Sequence, residues 1–184
     1  MGKPSWTKGV VAQLPKTGFA PGRFTPLPPR PARVAFADTG LWLEIPRLGV
    51  MAPIVGVPTD TPDAVTWLYD QVGYLQSTTF PTWKGHTVLT AHNYLPTGAP
   101  GPFAALNQLR WGDIVRIHFG GQVYEYEVRR AAVVASDAVW VFKAPSSRGT
   151  WLTLITCRNF DERTGEYRFR VAVQAVLMRV YPAP

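Results

Sequence analysis

The 184-residue sequence predicts a mainly β domain, a closed antiparallel barrel or a sandwich, with short helices confined to connecting loops. Three observations carry that expectation. The apolar runs are short and each is bounded by turn residues, the pattern of several strands at regular spacing. Eighteen prolines disfavour long helices, because proline removes a backbone donor and fixes φ. Two long segments alternate apolar and polar residues on either side of a turn, which is how a hairpin with one wet and one dry face is written.

The elements follow in order. Residues 1–38 hold dense Pro and Gly punctuation (QLPKTGFAPGRFTPLPPRPAR) without a period of 2 or 3.6, and read as an extended arm or linker with polyproline II character near Pro26 to Pro31. The folded domain is expected over residues 39–184. Leu41 to Ile45 and Met51 to Val57 read as strands separated by Pro46 and Gly49, and His86 to His92 as another. In DIVRIHFGGQVYEYEVRRAAVV, Val115, Ile117 and Phe119 alternate with Arg116 and His118. After Gly120-Gly121, Tyr124, Tyr126 and Val128 alternate with Glu125 and Glu127. Trp151 to Cys157 and Tyr167 to Val180 form a second pair around the loop RNFDERTGE, and only stretches such as PDAVTWLYD and GPFAALNQL suit helical turns. No internal repeat is present.

Composition narrows the function classes. With 46% hydrophobic residues the chain is globular, and a net charge of +7 would suit nucleic acid, a lipid headgroup surface or an anionic cell wall. The basic residues Arg110, Arg116, Arg129, Arg130 and Arg148 are scattered, as on a solvated surface, so nucleic acid is not the favoured partner. One cysteine excludes an internal disulfide. No apolar stretch reaches the ~18 residues of a membrane span, and MGKPSWTKGVVAQ lacks the apolar core of a secretory signal.

Three residue types could do chemistry. Cys157 ends the run TLITC beside a polar loop. A lone cysteine is commonly a small buried hydrophobe, but a strand end is where a scaffold presents reactive groups, and Arg158 and Arg170 nearby would favour the thiolate. His92 ends HTVLTAH in a comparable position and could serve as proton partner. Of the other histidines, His118 reads as solvent-facing and His86 as satisfying a turn. Arg168 and Arg170, two apart on one strand, would share a face, and an arginine there can stabilise an oxyanion or hold a substrate carbonyl. Taken alone, the pair equally suits an exposed basic strand face.

TLITC, a polar loop and then an arginine resemble the sortase signature, in which the cysteine ends one strand and the arginine lies on the next. Arg170 follows Cys157 by 13 residues and His92 precedes it by 65, spacings that look like the family's housekeeping class. FPTWKGHTVLTAHN, PFAALNQLRWGDIVRIHFGGQVYEYEV and LEIPRLGVMAPIVGV resemble, in the expected order, the family's approach to the histidine, the stretch after it and its first two strands. The likeness covers about residues 39 to 180. Ala91 stands where the family commonly has glycine, and Asn93 follows the histidine, so no subclass is assigned.

The resemblance implies a closed sortase-type β-barrel and a transpeptidase. Cys157 would attack the threonine carbonyl of an LPXTG-like sorting signal to give a thioacyl intermediate, His92 would move the protons, and Arg170 would stabilise the oxyanion, with Thr156, Ala91 and Arg168 in the substrate site. Arg168 stays open as the alternative arginine. The implied partners are sorting-signal proteins and an amine acceptor, a peptidoglycan precursor or a pilin lysine. The enzyme would be membrane-tethered at the extracellular face of the bacterial membrane, with residues 1–38 as tether. The chemistry needs no metal or other cofactor, and no EF-hand spacing is present. A hydrolytic cysteine peptidase and a non-catalytic basic barrel binding single-stranded nucleic acid through residues such as Trp111 and Tyr124 are the alternatives.

Leu14-Pro15-Lys16-Thr17-Gly18 matches the sorting pentapeptide itself. Four fixed positions recur by chance in roughly one chain in a few hundred at ordinary residue frequencies. The segment is expected to act as a pseudo-substrate in the groove of its own or a neighbouring molecule; a Pro-rich linker and an added tag are the competing readings. A tethered ligand has a high effective concentration.

Overall fold

The computed structural model describes residues 13–184. Strands form where apolar residues alternate: β1 (Ala37–Ile45), β2 (Val50–Val57), β3 (Val72–Leu75), β4 (His86–Thr90), β5 (Ile114–Phe119), β6 (Gln122–Ala135), β7 (Trp151–Asp161) and β8 (Glu166–Pro182). In β1, Leu41, Leu43 and Ile45 are fully buried while Trp42 between them is exposed, the two-residue period of a half-buried strand. Between β5 and β6, Gly120 and Gly121 both take positive φ (57° and 75°), which the tight hairpin requires and side chains resist.

The eight strands close in the order β1-β2-β3-β4-β7-β8-β6-β5, with β5 pairing back to β1. The expected barrel is present, but its pairing is mixed: β2 with β3 and β4 with β7 are parallel. Parallel neighbours need crossover connections, which no local alternation reveals. One crossover carries the 3₁₀ turn Pro62–Trp67 and the other contains the β5–β6 hairpin. At four residues, β3 is too short for its alternation to stand out in the sequence.

Leu43, Ile45, Ile54, Leu89, Ile117, Tyr126, Leu152, Leu154 and Val173 lie among the residues that fill the barrel interior. Each such side chain contributes ~1.5–3 kcal/mol on burial. Residues 13–36 carry no regular secondary structure yet pack against the outside of the barrel. Val34 joins a cluster with Val55, Val57 and Leu68, and the Trp67 indole donates to the Pro28 carbonyl at 3.2 Å. Among the described residues, no helix is long and apolar enough to cross a membrane.

Candidate active site

Sheet register assembles the site. From His86↔Trp151 to Thr90↔Ile155, β4 and β7 run parallel with a constant offset, and continuing that offset two residues past β4 brings His92 level with Cys157. Across the next ladder Cys157 lies directly opposite Arg170. The spacings of 65 and 13 are therefore the register of one parallel and one antiparallel pair, and a one-residue slip in either would turn a member away. Two bonds extend the β4 seam past its last ladder pair: Thr156 Oγ1 donates to the Ala91 carbonyl (2.8 Å), and the Asn93 amide donates to the Cys157 carbonyl (2.8 Å).

Into this seam runs the N-terminal arm. Leu14 is buried among Val88, Val134, Val141, Ile155 and Ala172, and its N–H donates to the Ser136 carbonyl at 2.9 Å. Arg170 Nε donates to the Pro15 carbonyl at 2.9 Å. Lys16 points to solvent, 3.4 Å from the exposed Glu166. Thr17 is completely buried. Its hydroxyl lies 3.1 Å from that of Thr90, which itself donates to the Ile155 carbonyl and so is left to accept the Thr17 hydrogen. The Thr17 carbonyl accepts from the Asn93 N–H at 3.0 Å. Thr156 Oγ1 is 3.4 Å from the same oxygen, but its one hydrogen is better used on Ala91.

Gly18 lies in a close approach that any side chain would crowd. A Cβ there would stand 2.8 Å from the Tyr167 ring and 3.2 Å from Cys157 Cβ. Beyond it, the Phe19 ring packs on the His92 imidazole at 5.0 Å, and the Phe19 N–H donates to the Tyr94 carbonyl at 3.0 Å. Tyr167 donates its hydroxyl to the Phe19 carbonyl at 2.7 Å.

Burial dominates the electrostatics. The His92 pKa falls to about 4, because desolvation disfavours the imidazolium more than the nearby Thr66 and Val65 carbonyls favour it. Neither ring nitrogen has a well-formed hydrogen bond among the described residues. The Cys157 thiol is pushed up by burial, against the lowering pull of Arg170, the Thr17 backbone and Lys16. With the arm in place the pair is thus a neutral thiol and a neutral imidazole, and the thiolate expected from neighbouring arginines is not favoured, since desolvation outweighs Arg170.

The structure brings together Cys157, His92, Arg170, Thr156, the Ala91 carbonyl and residues Leu14 to Gly18. Arg168 is elsewhere: its side chain is exposed and lies 3.5 Å from Asp161. Alternation predicted a shared face with Arg170, but the β7–β8 ladder lacks its Asn159–Arg168 rung, where Asn159 takes φ of 60°. Arg170 serves the Pro15 carbonyl, whereas the sequence aimed it at the threonine carbonyl, whose donor is the Asn93 backbone. Sequence reasoning missed Thr90, Asn93 and Tyr167 as site residues. Their signal was position alone, on the strand ends that flank the histidine and the arginine. His86 is structural, bonded to the Phe142 carbonyl (3.0 Å) and the Thr153 hydroxyl (2.7 Å).

A barrel whose register sets cysteine, histidine and arginine at one rim has the arrangement of a cysteine acyl-transfer site. The Sortase domain family matches residues 43–178. This chain belongs to the sortase family. Its fold is similar to sortase C-1 from Actinomyces oris, with 29% identity over 76% of this chain and 73% of that one and a TM-score of 0.60. It is also similar to sortase C-3 from Streptococcus pneumoniae (21% identity, 79% and 65% covered, TM-score 0.64). Sortase A from Corynebacterium diphtheriae is a further likeness (24%, 78% and 62%, TM-score 0.62). The chain thus spans less than two thirds of the length of the last two. A direct comparison with curated protein sequences gives no match. Sortase membership supports a cysteine transpeptidase, and Cys157 is the only cysteine in the chain.

Proposed function

We propose that residues 39–184 form a catalytic domain that cleaves an LPXTG-like sorting signal between Thr and Gly and transfers the acyl part to an amine. Cys157 attacks the threonine carbonyl and forms the thioacyl intermediate. Neutral His92 accepts the thiol proton, delivers it to the leaving nitrogen, and later takes one from the incoming amine. Arg170 stabilises the charged stages and grips the signal through a carbonyl on its N-terminal side, and the Asn93 N–H faces the carbonyl that is attacked. The amine acceptor is a peptidoglycan precursor or a pilin lysine, and the working place is the outer face of a bacterial membrane.

The observation that carries this reading is the arm, in which Leu14, Lys16, Thr17 and Gly18 each meet a matching environment and the Pro15 carbonyl is held by Arg170. Leucine fills an apolar pocket, the variable lysine faces water, threonine reaches a hydroxyl acceptor, and glycine sits where a Cβ would press on the Tyr167 ring. The arm is accordingly an intramolecular pseudo-substrate that competes with other signals at high effective concentration.

The test is ligation of an LPXTG-type peptide to an amine nucleophile, read by mass, in the wild-type chain and in Cys157→Ala. Ligated product that vanishes in the variant is expected. Hydrolysed product alone would favour the peptidase alternative, and no covalent species on Cys157 would overturn both enzymatic readings. Deleting residues 1–22 is expected to lower the KM for the peptide; an unchanged KM would remove the arm from the groove.

A further inference from the structure

We infer that the arm is a substrate of its own chain: Cys157 cleaves the Thr17–Gly18 bond in cis, separating the barrel from everything that precedes Gly18. The inference rests on the transpeptidase reading and goes beyond occupancy. A bound segment that only blocks a cysteine site has no need to present a scissile bond in register. This arm does so on both sides of the bond. On the acyl side, Leu14 is anchored in its pocket, the Pro15 carbonyl is held by Arg170, and the Thr17 carbonyl accepts from the Asn93 N–H, a donor suited to the oxygen on which charge would develop. On the amine side, Gly18 abuts both Cys157 and Tyr167, and Phe19 covers His92, the group that must protonate the Gly18 nitrogen.

The step balances without a redox partner. The Cys157 sulfur bonds to the Thr17 carbonyl carbon, the bond from that carbon to the Gly18 nitrogen breaks, and the thiol proton travels through His92 to the new Gly18 amine. Residues 1–17 are then a thioester on Cys157 of the same molecule. The new amine does not leave readily. Phe19 is bonded to Tyr94 and Tyr167, the Gly22 N–H donates to the Gly98 carbonyl (2.9 Å) and the Thr25 N–H to the Pro96 carbonyl (2.7 Å). Held there, the amine reverses the reaction, so the intact chain is the resting form and cleavage completes only when a competing nucleophile takes the thioester. A cavity of about 130 Å³ lined by Cys157, Arg170, Gly18 and Tyr167 is large enough to admit one, since a single water needs only about 10–15 Å³ of such space.

The experiment treats the full chain with hydroxylamine, a small amine nucleophile that converts the thioester to a hydroxamate and returns the proton to the sulfur. Intact mass should show a chain beginning Gly18-Phe19 and a released fragment of residues 1–17 ending in a Thr17 hydroxamate, at a rate independent of protein concentration. Cys157→Ala should give neither product. Leu14→Glu, which puts a charge in the apolar pocket, should slow self-cleavage roughly 30-fold or more while speeding turnover of an added LPKTG peptide; thermal melting checks that both variants fold. A wild-type chain that stays intact while Leu14→Glu turns over the added peptide would overturn self-cleavage and leave the transpeptidase reading standing. No reaction of either kind overturns both. Cleavage whose rate rises with protein concentration would overturn the cis assignment.

Discussion

Two regions of this barrel bury polar groups, and they do so in opposite ways. On the outer face of β1, β5, β6 and β8, Glu125 is 4% exposed and accepts from Arg116 (3.0 Å), Arg179 (2.8 Å) and Tyr181 (3.1 Å), while Glu44 receives Arg116 (3.1 Å) and approaches His118 (2.7 Å). Burial alone would raise the Glu125 pKa, but those three donors outweigh it and hold the carboxyl below its ordinary value. At the rim of β4, β7 and β8, His92 is just as buried, yet its ring nitrogens have no good partner among the described residues and its charged form is suppressed. A satisfied network fixes structure, and an unsatisfied one leaves groups free for chemistry at some cost in stability. Changes at the rim should therefore alter rate and spare the fold, and changes in the network should do the reverse.

The largest separation is expected from Cys157→Ala. Transfer of an LPXTG-type peptide should fall by at least about 10⁴-fold, as when a nucleophile is removed, with little change in the melting midpoint, because the thiol makes no bond that packing depends on. A midpoint that drops by many degrees would make Cys157 a structural residue like Glu125.

Next comes Arg170→Lys. The arginine's hold on a carbonyl upstream of the scissile bond, as on that of Pro15, is equal in ground and transition states and acts on KM, while its charge beside Cys157 acts on kcat. The ratio kcat/KM should therefore fall about 10²-fold, with KM raised as well as kcat lowered. A loss confined to kcat would return Arg170 to the oxyanion.

The two regions should also separate by pH. The His92 pKa is about 4 in the folded chain against an ordinary 6.5. Between those values the unfolded chain binds a proton that the folded chain refuses, so stability is full above pH 6.5 and falls as pH drops toward 4, by up to roughly 3 kcal/mol. Glu125, with its lowered pKa, loses its contribution only as pH falls below the ordinary carboxylate range. Urea unfolding from pH 7 to 3 should show the first slope vanish in His92→Phe and the second in Glu125→Ala. At pH 7, Glu125→Ala should lose about 2 kcal/mol by leaving Arg179 and Tyr181 without their acceptor and Arg116 with Glu44 alone, with transfer rate unchanged within about twofold.

Sequence reading reached the rim better than the network, and the reason is register. A parallel ladder keeps a constant offset and an antiparallel one a fixed opposition, so the spacing among His92, Cys157 and Arg170 is a fixed trait of the fold, and the resemblance of that spacing to the sortase signature is what makes the three legible. What could not be read arises across chain segments. The parallel pairings and β3 depend on crossovers, Asn93 contributes a backbone N–H that its side chain does not advertise, and Arg168 parts from Arg170 at a rung that Asn159 breaks. Glu125 looked like one polar residue in an alternating strand, because its partners come from β5 and β8.

The smallest expected effect tests how the rim recognises its substrate. Thr90 spends its hydrogen on the Ile155 carbonyl and offers a lone pair to Thr17. Thr90→Val keeps the shape and removes both functions, so the buried hydroxyl of a threonine substrate would lose its acceptor. The preference for an LPKTG peptide over its LPKVG counterpart should shrink by about 1 kcal/mol, or roughly fivefold in kcat/KM. Because the same change also frees the Ile155 carbonyl, a small stability loss is expected in parallel, and the Thr/Val ratio rather than the absolute rate carries the result. An undiminished ratio would mean that threonine is selected by shape alone, and that this buried hydroxyl pair belongs with the structural network around Glu125.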